Sequence, residues 1–177
     1  MRIQTLTLGC CFLLAGVILR AAPARAQQKD YLSAAEADQI RDEVEPGLKI
    51  KLFLSFATDR IKKLQYELAH PANTVRRAER LNGLLNGYAG CMDDAVDLIE
   101  IGAEKQQDIR DGVKEMQARA PEFLTYLKDL AAKGPERNTF KDNLTDAIEA
   151  TTDAIRNTEE AAKENSPPPV RRNPNAK

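Results

Sequence analysis

The feature that most constrains the fold is a run of mostly apolar residues that recurs at alternating spacings of three and four between Ala78 and Ala120. Its members are Ala78, Leu81, Leu85, Tyr88, Met92, Ala95, Ile99, Gly102, Gln106, Ile109, Val113, Met116 and Ala120. This spacing is a heptad seam, typical of α-helices that pack as in a coiled coil. The seam predicts one long helix over residues 74–119, which Pro121 then ends or kinks.

Apolar residues at helical period also mark both flanks of the seam. Ser33 and Glu36 have the spacing of a capping box, which predicts that a helix begins there. The pattern continues to residue 69, and Pro46 predicts a kink or a restart with proline in the first turn. After Pro121 we expect a short helix to residue 133, a break at Gly134 and Pro135, and a last helix over about 138–164.

These segments predict an all-α protein. Similar lengths and short connections favour an elongated antiparallel helical bundle of three long kinked arms, residues 33–69, 74–119 and 121–164. A compact bundle of four or five shorter helices is the alternative. Aromatic residues make up only 5 % of the chain, which argues against a β-sandwich or barrel.

The first 26 residues have the layout of a cleavable secretory signal. Arg2 precedes an apolar stretch over residues 6–19, and Ala24 and Ala26 supply the small residues before the cleavage point. The apolar stretch has 14 residues, fewer than the roughly 20 that a membrane-spanning helix needs. We therefore predict export to the periplasm or the medium of a bacterium, cleavage after Ala26 and no stable membrane insertion afterwards.

Cleavage changes the composition on which functional arguments rest. Removing 26 of the 177 residues leaves 151, and the loss of three arginines takes the net charge from −1 to −4. Such a balance gives no general attraction to nucleic acid. Only Cys91 remains of the three cysteines, so it is either buried or available for a disulfide between two copies.

The mature chain divides into three parts by composition. Residues 27–32 form a short lead, residues 33–164 the helical bundle domain, and residues 165–177 a tail with four prolines that we expect to be disordered.

Five glycines interrupt the long seam: Gly83, Gly87, Gly90, Gly102 and Gly112. Each costs up to about 1 kcal/mol relative to alanine inside a helix. The first three fall on one side of the helix, away from the apolar stripe. They indicate either a locally weak helix or a smooth groove that a neighbouring helix or a partner approaches closely.

Three clusters suggest chemistry only weakly. Glu67 and His70 have the Glu-x-x-His spacing of di-iron bundles, but the chain has no second histidine, so we interpret His70 as a helix-terminal residue. An acidic run is interpreted as a solvated helix face rather than a cation site; it comprises Asp93, Asp94, Asp97 and Glu100. Basic residues are interpreted as charge interspersed for solubility rather than as a surface for anionic lipid or cell-wall polymer; they are Lys62, Lys63, Arg76, Arg77, Arg80, Arg171, Arg172 and Lys177.

One stretch carries a family resemblance. Residues 36–61 contain Ile40-Arg41-Asp42, Glu45-Pro46, Ile50-Lys51-Leu52 and Phe56-Ala57 ahead of Arg60. They resemble the opening of a family of uncharacterised exported bacterial helical proteins. The resemblance covers about a sixth of the chain, implies a helical fold and export, and transfers no site residues.

The sequence thus predicts a protein that works through its surface rather than through a reactive site. We expect a non-enzymatic interaction, scaffold or chaperone-like role in the bacterial envelope, without catalytic, cofactor-binding or metal-binding residues. The partner would be another protein, or a second copy bound through helix faces, with Cys91 available to link the two copies. The alternative is a periplasmic bundle that binds a small ligand or a metal.

Overall fold

The computed structural model describes residues 31–71 and 75–164. The predicted signal peptide, most of the lead and the predicted tail lie outside these residues. About 85 % of the described part is helical, and no strand occurs within it, so the predicted all-α bundle is confirmed. The helices are α1 (Ala34–Asp42), α2 (Pro46–Ala69), α3 (Arg77–Glu104), α4 (Arg110–Lys133) and α5 (Lys141–Glu164), with a short 3-10 turn at Arg137–Thr139.

Four long helices form the bundle. α2 packs against α3 and α4, and α5 packs against the same two helices, so α3 and α4 face each other across the diagonal. α3 and α5 run parallel, since Asn82 meets Asn143 near their starts and Glu100 meets Asn157 farther along. The arrangement is that of the compact alternative and not of three long arms.

The long helix predicted over residues 74–119 is wrong, because the chain turns between α3 and α4. Gln106 adopts a left-handed φ of 52°. The amides of Gln106 and Gln107 donate to the carbonyls of Ala103 and Gly102, at 3.1 and 2.8 Å, which is a Schellman motif closing α3.

The heptad spacing passes unchanged through this turn because the turn itself carries a core residue. Ile109 is only 1 % exposed and closes this end of the bundle. A Cβ placed on Gly102 would lie 2.3 Å from Cγ2 of Ile109, so the side chain folds back onto α3 where only glycine leaves room.

Pro46 and Pro121 occupy different positions in their helices, and the predictions made from them fare differently. Pro46 is the first residue of α2, as one of the two predicted possibilities had it. Pro121 neither begins nor ends a helix but lies within α4, so the prediction of an arm beginning at 121 is wrong. Its side chain is exposed. On that side water can satisfy the carbonyl one turn earlier, which lacks an amide partner.

The core follows the predicted stripe. Of the thirteen members of the seam, only Ala78 and Gln106 are exposed. Tyr88 lies at the centre, where its hydroxyl and that of Thr151 are 2.7 Å apart and its ring meets the ring of Phe123 edge-on at 5.7 Å. Among the described residues, no buried side-chain nitrogen or oxygen lacks a hydrogen-bond partner.

Candidate functional site

Residues 31–42 form a segment that we call the N-terminal strap, which lies against α2 and α3. The capping box predicted at its helix is confirmed: the Ser33 hydroxyl accepts from the amide of Glu36, and the Glu36 carboxylate accepts from the amide of Ser33 at 2.8 Å. Yet α1 has no buried residue. The strap is therefore held by a few specific contacts rather than by a broad apolar face.

The first of these contacts is an ion pair between Arg60 of α2 and Glu36 of the strap. Both terminal nitrogens of Arg60 donate to this carboxylate, one of them at 2.8 Å, and one also donates to the backbone oxygen of Tyr31 at 3.1 Å. Arg60 is only 8 % exposed, so its charge is balanced where water is scarce. The guanidinium, helped by the hydrogen bonds from Ser33, holds the pKa of Glu36 at about 2.

The second contact is made by Tyr31, which lies on α3. A Cβ placed on Gly90 would be 2.7 Å from two ring carbons of Tyr31, so the ring fits only over glycine. The Tyr31 hydroxyl donates to the carboxylate of Asp94. Burial raises the pKa of Asp94 to about 6, and the nearby charge of Asp97 adds to the rise.

Beyond the strap, the space between α2 and α3 opens into a groove of about 500 Å³, which we call the upper groove. Its walls are mostly apolar and it is open to solvent on one side. The lining residues are Lys62, Lys63, Tyr66 and Glu67 of α2, and Arg80, Gly83 and Leu84 of α3. Tyr66 is 65 % exposed, an unusual fraction for an aromatic side chain of this size.

The predicted smooth side of α3 thus divides into two parts. Gly87 and Gly90 are covered: a Cβ on Gly87 would lie 3.4 Å from Nε of Arg60, and Gly90 lies under Tyr31. Gly83 is different, because a Cβ there would meet no atom of the described residues within 4 Å. Close approach, one of the two interpretations of these glycines, is present at two positions, and at the third the floor of the groove is open.

The charges around the upper groove are mainly positive. Glu67 is the one acidic residue of its lining, and its carboxylate receives Arg77 at 3.4 Å and Arg80 at 3.2 Å. Lys62 and Lys63 are exposed, and neither has an ion-pair partner within the described part of the chain. Three cations and one carboxylate therefore leave the groove with an excess of two positive charges.

The predicted Glu-x-x-His spacing does not form a ligand pair. His70 is the C-cap of α2, as interpreted from the sequence, and its ring stacks on Tyr66 with centroids 4.3 Å apart. Its Nδ1 lies 2.9 Å from the backbone oxygen of Tyr66. Glu67 instead faces Arg77 and Arg80, so the structure assigns these two residues to separate contacts.

The acidic run on α3 is split by the fold. Asp93, Asp97 and Glu100 are exposed, as expected of a solvated face, whereas Asp94 is buried beneath Tyr31. No group of three or more histidine, cysteine or acidic residues within residues 31–71 and 75–164 is arranged to hold a metal ion. The role of Asp94 had no signal in the sequence, because its partner lies 63 residues away.

The basic residues near the start of α3 are not all part of a free surface. Arg77 donates to Glu136 at 2.9 Å and to the backbone oxygen of Glu67 at 2.7 Å, which ties the loop before α5 to the ends of α2 and α3. Arg76 is exposed beside it. Arg171, Arg172 and Lys177 lie outside the described residues.

Two further observations concern the predicted partners. Cys91 is fully buried, so its thiol is out of reach of a second copy while the bundle stays folded. Among the helices that the structure describes, none is both long and apolar enough to span a membrane.

A second depression, of about 620 Å³, lies at the opposite end of α2 between Glu45, Leu48, Asp108 and Asp111. Its walls are more polar than those of the upper groove, and Arg110 at its edge already pairs with Asp108 at 2.8 Å. The upper groove is therefore the better candidate for a surface on which apolar groups bind.

Comparison of the chain with protein-family models, with curated proteins and with solved structures found no significant match. The resemblance of residues 36–61 to exported bacterial helical proteins stays a prediction.

Proposed function

We propose that this protein is a non-enzymatic interaction protein of the bacterial envelope, exported by its first 26 residues, which holds a segment of a partner protein in the upper groove. The observation that carries the proposal is Gly83. In the interior of an exposed helix it costs up to about 1 kcal/mol relative to alanine. No packing within the described residues requires it there, whereas an occupant of the groove would.

The neighbouring strap supports this proposal. It shows that the surface between α2 and α3 accepts a polypeptide segment, since Tyr31 and Glu36 bind there next to the open stretch. The upper groove continues the same surface between the same two helices.

The predicted alternative, a bundle that binds a small ligand, fits this surface less well. Small-molecule sites bury 70–90 % of their ligand in a cleft or cavity. The upper groove is open along one side, so a small ligand would stay largely in water. A peptide segment can instead bind by placing the end of one side chain in the groove, while the rest of the segment stays outside it.

In-cell crosslinking followed by affinity capture of the full-length protein tests the proposal. We compare wild type with Gly83→Trp, which fills the groove, and with Lys128→Trp, which adds the same indole to an exposed site on α4, the helix diagonal to α3. A partner captured by wild type and Lys128→Trp and lost from Gly83→Trp is expected. Identical capture by all three variants, or none by wild type, would contradict the proposal.

A further inference from the structure

The upper groove lies on the same face of α3 as the site that the strap occupies, one heptad nearer the start of the helix. Gly83 and Gly90 are seven residues apart and so lie on the same face of α3. At Gly90 an aromatic ring covers the glycine, and a carboxylate of the same segment pairs with a cation on α2. At Gly83 the floor is again glycine, and the α2 side of the groove carries Lys62 and Lys63, two and three residues beyond Arg60, together with Glu67, seven residues beyond it.

The charges that line the upper groove favour an anionic occupant. The site carries three cations and one carboxylate on a chain whose net charge is −1. At the strap the cation of α2, Arg60, is balanced by Glu36. Lys62 and Lys63 have no such carboxylate among the described residues, and opposite charge across an interface favours association and suppresses wrong partners.

The apolar walls of the upper groove favour an aromatic side chain as the group that binds there. Tyr66 and Leu84 flank the open backbone of Gly83, and Tyr66 keeps most of its surface exposed. An aromatic ring can cover a glycine, as Tyr31 covers Gly90, and aromatic rings also pack favourably edge to face with one another. A lipid chain would use only the apolar walls, and the groove is bounded by charged residues at both helices.

We propose that the occupant of the upper groove is an acidic peptide segment of a partner protein, with an aromatic side chain on Gly83 and carboxylates facing Lys62 and Lys63. This inference rests on the proposed function and adds the chemistry of the partner. It makes the occupant a counterpart of the strap, with the roles of Tyr31 and Glu36 supplied by another chain.

Selection from a displayed library of random 16-residue peptides on the full-length protein tests the inference and needs no identified partner. Peptides that bind Gly83→Trp are removed by counter-selection, so the remaining ones depend on the groove. We expect them to be enriched in aspartate and glutamate and to carry at least one aromatic residue. Neutral or basic groove-dependent peptides would overturn the inference.

Reversing the charge of the groove lysines gives a quantitative test through the Kd of a selected peptide. For a selected peptide we expect the Kd to rise at least tenfold in Lys62→Glu/Lys63→Glu, as is common when a charge pair at an interface is replaced by repulsion. The matched control Lys114→Glu/Lys128→Glu changes the net charge equally on exposed sites of α4, and the Kd should stay within twofold. Equal weakening in both would show that the charge of the whole chain is responsible, and the inference would fail.

Two further outcomes separate the inference from the proposed function. If the protein captures a partner in a groove-dependent way but the crosslinked segment is not acidic, the inference fails and the proposed function stands. Groove-dependent binding to phosphatidylglycerol vesicles without groove-dependent peptides would assign the groove to a membrane and overturn both.

Discussion

The two ends of α3 use glycine in opposite ways. Near its C-terminus, Gly102 lies under Ile109, and a Cβ there would be 2.3 Å from that side chain. Near its N-terminus, a Cβ on Gly83 would meet nothing within 4 Å among the described residues. The same residue type thus serves close internal packing at one end and leaves open surface at the other.

The difference lies in what packs on each glycine within the described residues. Gly102 and Gly112 admit Ile109 and Ile50, which close the bundle where the chain crosses its diagonal. Their cost in helix propensity is offset by the burial of those side chains. Within the described residues no side chain packs on Gly83 to offset its cost, which is why we propose that an occupant of the groove does so.

The largest effect is expected at the closed end. Replacing Ile109 with alanine removes a side chain that is 1 % exposed and should lower the free energy of unfolding by about 2–5 kcal/mol. The control is Ile101→Ala, since Ile101 is 43 % exposed and should lose about 0.5 kcal/mol or less. Urea unfolding measures both. Equal losses would show that Ile109 does not close the bundle.

Gly102→Ala tests the close approach directly. The added methyl group collides with Ile109, and overpacking of this kind costs about 1–3 kcal/mol, of which the better helix propensity of alanine returns up to about 1. The net result should be a lower unfolding free energy in the same assay. A variant as stable as wild type would mean that Ile109 moves aside freely.

Gly83→Ala should have the opposite sign. The methyl group enters open space, and alanine is the better helix former, so the unfolding free energy should rise by up to about 1 kcal/mol. The comparison with Gly102→Ala keeps the chemical change identical. A loss of stability at Gly83 would show that the groove floor is packed after all.

The strap between the two ends offers a smaller, pH-dependent test. Folded Asp94 holds its proton to about pH 6, and the unfolded group releases it near 3.8. The folded state therefore binds the extra proton in this window, and its stabilisation is lost as the pH rises through 6. Relative to Asp94→Asn, wild type should lose unfolding free energy between pH 4 and pH 7.

Glu36 of the strap changes stability with pH in the opposite direction to Asp94, and it is present in both wild type and Asp94→Asn. The pKa of Glu36 is lowered to about 2, so its contribution is present above the ordinary value of 4.5 and is lost as the pH falls toward 2. Because wild type and Asp94→Asn both keep Glu36, their difference isolates Asp94. A constant difference between pH 4 and pH 7 would contradict the assignment.

Much of the fold follows from local pattern, and the remainder depends on contacts between distant residues. The seam predicts the buried stripe well, and the Ser33 capping box and the restart at Pro46 are local signals that the structure bears out. The turn after α3 was missed because Gln106, and not glycine, takes the left-handed position. The seam also continues through Ile109, so the spacing alone cannot reveal the break.

In the candidate site, too, some features follow from local sequence pattern and others depend on contacts between distant residues. The glycine side of α3 is visible in the sequence, and so are the cations near it. Which glycine is covered depends on Tyr31 and Arg60, whose contacts with α3 and the strap have no local sequence signature. Asp94 likewise looks like one member of an acidic run until Tyr31 is placed over it.

The claim that the upper groove is a binding surface is tested most directly by a photocrosslinking amino acid placed at position 83 of the full-length protein in the cells that produce it. Position 128 on α4 serves as the control site. The groove predicts a discrete adduct with one partner from position 83 and none of that mass from position 128. The same adducts from both positions, or none from position 83, would contradict it.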